Sequence, residues 1–159
     1  MRDDVVWYFA YGSNMCAATF LARRSMRPIE ARCAYVDGYR LVFDIPVGPG
    51  ERGVANLLAT DEARTHGVAY LLTLDDALRL DRTEGVPQLY ARLPISMTTN
   101  GGVVPGFTYR SPICVAGRKP SARYMGLLLD GARTHGLPME YVAALEAMEL
   151  AVDERVASE

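Results

Sequence analysis

The chain has 159 residues, half of them apolar and 23% charged, which suits one globular domain able to bury a core without disulfides or a structural metal. Its 17 basic and 19 acidic residues sum to −2, so there is no basic footprint for nucleic acid or an anionic membrane. Three widely spaced cysteines (Cys16, Cys33 and Cys114) and two histidines exclude a disulfide framework and a Cys/His zinc site. No signal-peptide pattern or membrane-length apolar run is present, and a cytoplasmic location is expected. Lys119 is the lone lysine, set between Arg118 and Pro120 in a loop-like context, so lysine-based catalysis fits poorly.

In chain order, Val5 to Tyr11 (VVWYFAY) reads as a buried strand. Gly12-Ser13-Asn14 follows, with Gly12 permitting a tight turn and Ser13 or Asn14 serving as N-cap of a helix from Met15 to Arg24. Tyr35 to Ile45 reads as a second strand bent at Gly38, and residues 46–53 as a loop. Val54 to Ala59 and Val68 to Leu74 are expected as two strands joined by a polar turn around Asp61. A helix between Thr73 and Gly85 carries a capping-box-like Thr73/Asp76 pair at its start and a C-terminal glycine. Leu89 to Thr98 and Val103 to Tyr109 form a hairpin at Asn100-Gly101. Ser121 caps a helix that ends at Gly136, and Pro138 suits the first turn of a last helix presenting Tyr141, Leu145 and Met148. About six strands precede the best helices, so the expected class is α+β, a small closed or strongly curled mixed β-barrel flanked by helices. Residues 1–151 are expected as one domain and 152–159 as a polar, frayed tail. The repeated pentapeptide ARTHG, at 63–67 and 132–136, has unrelated flanks and is read as coincidence.

Three features could carry chemistry. The Tyr11-Gly12-Ser13-Asn14 turn presents free backbone N–H groups where a helix begins, a place to hold a carboxylate or phosphate; the plain alternative is a polar-capped turn. A nucleophilic Ser13 lacks the second glycine of a nucleophile elbow and a plausible base, because His66 and His135 sit beside glycines as turn or cap residues. Cys16 reads as a small apolar side chain. Glu84 aligns with Ala77 and Leu80 rather than with Asp75 or Arg79, at the helix end where the dipole disfavours negative charge. Burial and dipole together would raise its pKa, as a general base near neutral pH requires; the alternative is a frayed-end glutamate in water. Asp81 is the weaker rival. Tyr90 and Tyr124 could line a pocket or simply pack in the core.

Tyr8-Phe9-Ala10-Tyr11-Gly12-Ser13-Asn14-Met15, then Asp81-x-x-Glu84-Gly85-Val86 with Tyr90, resembles the γ-glutamylcyclotransferase-like family. So does Pro120-Ser121-x-x-Tyr124 running into Gly131-Ala132-x-x-x-Gly136-Leu137-Pro138-x-x-Tyr141, and the likeness spans roughly residues 7 to 148. The resemblance implies a small barrel with its pocket beside the Y-G-S-N turn. It implies an enzyme releasing 5-oxoproline from a γ-glutamyl amide without cofactor or metal. By position, Tyr8, Phe9, Ala10, Tyr11, Gly12, Ser13 and Asn14 match the substrate-holding loop, Glu84 the catalytic acid/base, and Tyr124 and Tyr90 further substrate contacts. The implied partner is a small γ-glutamyl compound, with no nucleic acid or membrane and a homodimer left open. Two other expectations stay beside it: the same chemistry as a deprotection step in a biosynthetic pathway, and a non-catalytic binder of a small carboxylate.

Overall fold

In the computed structural model, which describes residues 4–152, the β-branched and aromatic runs form five strands rather than six. These are β1 (Val5–Ala10), β2 (Glu30–Pro46), β3 (Gly53–Thr73), β4 (Ala91–Thr99) and β5 (Gly102–Arg110). They close into a mixed barrel in the order β1-β3-β2-β4-β5, sealed by parallel pairing of β1 with β5. The difference in count lies at Asp61. Both halves of β3 pair with β2, from Val54 opposite Ile45 to Leu71 opposite Glu30, and residues 60–63 bulge opposite Gly38 without leaving the sheet. Glu62 takes a positive φ of 66° and Gly38 one of 89°, so a turn-like local sequence is absorbed as a bulge inside one long strand. His66 consequently lies mid-strand, its ring 4.8 Å from that of Tyr141, rather than in a turn.

The segment after β1 also differs from a single α-helix. A 3₁₀ turn covers Ser13–Met15 and a π-helical stretch covers Ala18–Arg23, the Arg24 N–H reaching the Thr19 carbonyl at 2.9 Å. Gly12, not Ser13 or Asn14, occupies the N-cap position, and no side chain caps the turn. The Asn14 amide is used elsewhere, as described below.

Among the described residues, three α-helices cover the barrel: α1 (Leu74–Thr83), α2 (Ala122–Thr134) and α3 (Met139–Glu146). Thr73 caps α1 by accepting from the Asp76 N–H at 3.1 Å, and Ser121 caps α2 by accepting from Tyr124 N–H at the same distance. Pro138 is the N-cap of α3 rather than part of its first turn. At the far end of α1, Gly85 N–H bonds Arg82 O and Val86 N–H bonds Asp81 O, with Gly85 at φ 67°. This double bond pattern holds Glu84 as the last residue before a left-handed glycine. The expected tail falls, from residue 153, outside the described residues.

Phe9, Phe20, Leu57, Leu72, Leu80, Met97 and Leu128 are fully buried, each side chain contributing about 1.5–3 kcal/mol of burial free energy. One close approach couples this core to the turn after β1. A Cβ on Gly131 of α2 would lie 2.5 Å from both the carbonyl carbon and the Cβ of Met15. Gly131→Ala is therefore expected to push α2 off the 3₁₀ turn, lowering stability by about 1–3 kcal/mol in chemical denaturation.

Candidate active site

The ends of β1 and α1 meet the 3₁₀ turn and α2 around a cavity of about 260 Å³. Tyr8, Tyr11, Gly12, Ser13, Asn14, Glu84, Tyr90 and Tyr124 all line it. Phe9 and Ala10 do not. Both are fully buried in the barrel, where a Cβ on Gly67 would meet the Phe9 ring at 2.8 Å and the Ala10 carbonyl oxygen at 2.2 Å. Their part is structural, including the Phe9 carbonyl that accepts from Thr108 Oγ1 at 2.7 Å.

Asn14 organises the polar side of the cavity. Its Nδ2 donates to Glu84 Oε1 and to the Tyr8 hydroxyl, each at 2.9 Å, while Arg24 Nε donates to its Oδ1 at 2.6 Å. The Arg24 bond sets which way the amide faces, because a flipped amide would oppose two donors. Arg24 also stands 3.9 Å from Glu84 Oε1. Glu84 is 12% exposed and points to the turn, not to bulk water. Burial is the largest influence on its carboxyl and raises the pKa, with Arg24 and the Asn14 amide pulling the other way.

The second side is aromatic. Tyr124 accepts from the Ala55 N–H at 3.1 Å, with the Ser13 amide and hydroxyl beside the same oxygen. Tyr90 donates to the Ala55 carbonyl at 3.3 Å. A Cβ on Gly12 would stand 3.0 Å from the Tyr124 hydroxyl, so the glycine here makes room rather than supplying an unusual φ. Burial raises the phenol pKa of Tyr8, Tyr11, Tyr90 and Tyr124, which keeps them protonated donors.

The other candidates are committed elsewhere. Asp81 is held by Arg92 at 2.8 Å and by the Tyr109 hydroxyl. Cys16 is buried and donates to Asp130 at 3.1 Å, and burial raises its thiol pKa. Lys119 is paired with Glu51 and Glu149. Neither histidine lines the cavity, so Ser13 has no imidazole base. Among the described residues, no group of His, Cys, Asp and Glu is arranged to hold a metal ion. The 3₁₀ turn is also too short for the helix dipole expected there, and the Ser13 N–H is directed at the Tyr124 oxygen, which leaves the Asn14 N–H and the Arg24 charge as the anion-attracting elements.

Arg24 was not legible as a site residue. Ten residues after Asn14 on an α-helix, it would sit about 80° away from that side chain. The 3₁₀ turn and the π-helical widening bring the two together instead. Arg24→Met removes a cation that favours ionised Glu84. The Glu84 carboxyl should then titrate at higher pH than in the wild type, read from its side-chain carbon chemical shift across a pH series.

The model of the AIG2-like family matches residues 64–145. The chain is 31% identical to the γ-glutamyl cyclotransferase aclK of Aspergillus oryzae over 91% of its own length, but spans 61% of that relative. It is 30% identical to the γ-glutamylcyclotransferase of Mus musculus, covering 93% of this chain and 81% of the mouse protein. A solved structure described as a γ-glutamyl cyclotransferase superposes with a TM-score of 0.81 at 23% identity, covering 97% of this chain and 96% of that one. No helix among the described residues is long and apolar enough to cross a membrane. The barrel and the sequence matches together make this chain a member of the γ-glutamylcyclotransferase-like, or AIG2-like, family.

Proposed function

We propose that the protein is a γ-glutamyl cyclotransferase that cleaves a γ-glutamyl amide to 5-oxoproline and a free amine. The observation that carries this reading is the Glu84 carboxylate, buried and raised in pKa, bonded through Asn14 to the turn beside a cavity of amino-acid size. The names of the Aspergillus and mouse relatives support it.

The substrate supplies both reacting groups, so the chain's work is to fold it and to move protons. The α-ammonium first loses one proton to solvent. Its nitrogen then attacks the γ-carbonyl carbon, closing the five-membered ring as the amine's second proton passes to Glu84. Glu84 returns that proton to the departing nitrogen as the C–N bond breaks, and the released amine is protonated by solvent. No water is consumed and no covalent enzyme intermediate forms, so the scheme calls for neither metal nor nucleotide. The Asn14 N–H, with Arg24, holds the α-carboxylate, the Tyr8 and Tyr124 phenols donate to the substrate's oxygens, and Tyr90, bonded to the Ala55 carbonyl, packs its ring against the substrate. A panel of γ-glutamyl amino acids, peptides and amines, followed by detection of 5-oxoproline, tests the reading. Binding without turnover across that panel leaves instead a non-catalytic carboxylate binder.

A further inference from the structure

A second cavity of about 350 Å³ adjoins the first, with Ser13, Arg24, Val54 and Tyr124 common to both walls. Its remaining wall includes arginines from three separate elements: Arg23 from the π-helical stretch, Arg52 from the loop before β3, and Arg123 from the first turn of α2. No aspartate or glutamate lines it. The nearby acid Glu51 is already engaged by Lys119 and by the Val152 N–H. Among the described residues, Arg23, Arg52 and Arg123 make no ion pair, and Arg52 Nε is shielded from water with no hydrogen-bond partner at all.

A shielded guanidinium nitrogen without an acceptor is costly unless something supplies one. Arg52 is not there by slack in its loop. The Lys119 N–H bonds Glu51 O at 2.7 Å, the Gly53 N–H bonds Lys119 O at 2.8 Å, and Arg118 Nη1 bonds Arg52 O at 3.0 Å. The loop is thus pinned on both sides of Arg52. In a chain of net charge −2, a cavity lined by four arginines and no acid reflects local placement of charge rather than general basicity.

We infer that this second cavity is the leaving-group subsite and that it selects a γ-glutamyl amide whose leaving amine carries negative charge, two carboxylates in preference to one and one in preference to none. The inference rests on the cyclotransferase reading: with the glutamyl part beside Glu84, the amide nitrogen's substituent extends across the shared wall of Ser13, Val54 and Tyr124 into the arginines. Three unengaged guanidiniums carry more positive charge than one carboxylate neutralises. Carboxylates remote from the reacting carbonyl are held alike in ground and transition states, so the preference falls on KM rather than kcat.

The test compares γ-glutamyl-glutamate, γ-glutamyl-glutamine and γ-glutamyl-glutamine α-amide, near-isosteric substrates whose leaving amines carry two, one and no carboxylates. From the first to the third, kcat/KM should fall by at least about tenfold, mostly through KM, as expected for lost charge-assisted hydrogen bonds. In Arg123→Met, an exposed position, and in Arg52→Met, that gap should shrink to less than about threefold, with turnover of the neutral substrate changed by less than about twofold. Equal kcat/KM for the three substrates in the wild type, or an undiminished gap in folded Arg123→Met, overturns the subsite while leaving the cyclotransferase reading intact. Equal values are also what a site for a separate anion would produce. Absence of 5-oxoproline from all three overturns the reaction itself.

Discussion

Replacing Glu84 by glutamine is expected to lower 5-oxoproline release by about a thousandfold or more while leaving the fold in place, within the range that general acid–base groups contribute. Glutamine keeps the size of the side chain and an oxygen to accept from Asn14 Nδ2, so the network to Tyr8 and Arg24 persists. What it removes is the site that takes the proton and gives it back. The stability change should run in the opposite direction. Burial raises the Glu84 carboxyl pKa in the folded chain above its unfolded value, so ionised Glu84 disfavours the folded state. That disadvantage is absent below the unfolded pKa and complete once pH has risen through the folded one. Glu84→Gln should therefore melt at or above the wild-type temperature at neutral pH and match it at about pH 3, where both carboxyl states are protonated. Thermal scans at the two pH values, paired with a 5-oxoproline assay, check both halves. Wild-type turnover in this variant would sink the mechanism.

The second large effect concerns Asn14, whose amide gives both its hydrogens to Tyr8 and Glu84 and accepts from Arg24. Asn14→Asp changes almost no volume, yet it places a second carboxyl where a donor stood 2.9 Å from Glu84. Two carboxyls at that distance resist joint ionisation and share a proton, which raises the apparent pKa of the pair. The expected result is a loss of about a hundredfold in kcat/KM at pH 7, comparable to misplacing a catalytic group. Part of the activity should return as pH rises, because the shared proton is then lost. A pH–rate profile without that recovery would show that Asn14 acts only as a packing residue. Arg24→Met predicts a smaller upward displacement of the same limb, so the two profiles together separate the donor's contribution from the cation's.

Much of this site could be read residue by residue because the signals are local. The Thr73 cap, the glycine at 85 and the apolar positions Ala77 and Leu80 together place Glu84 at a helix end and on its inner side. A raised pKa follows from that position alone, and burial is indeed its first cause in the folded chain. Phe9 and Ala10 show the limit of carrying over a contiguous motif. The peptide Tyr8 to Asn14 is continuous in sequence, but the strand hands Phe9 and Ala10 to the core and leaves Tyr8 and Tyr11 at the cavity. Arg24 was invisible for another reason. Its meeting with Asn14 depends on a change of helical period that no side-chain pattern announces.

Length, charge and the order of apolar runs were enough to determine an α+β chain with a closed or curled barrel, the cap residues of α1 and α2, and a carboxylate at the end of α1. Those features depend on neighbours within a few positions, where propensity and capping act directly. Only the tertiary structure decided that Gly53 to Thr73 is one strand, since pairing with β2 on both sides of the bulge outweighs the local turn signal at Asp61. It alone decided that Asn14 serves the cavity rather than a helix cap, because Arg24 Nε takes the Oδ1 that would have capped the turn while Glu84, 70 residues away, accepts from the Nδ2. The arginine-walled cavity belongs to the same class. Arg23, Arg52 and Arg123 look like ordinary surface charges in a chain with one lysine, and only barrel closure turns them toward a common space.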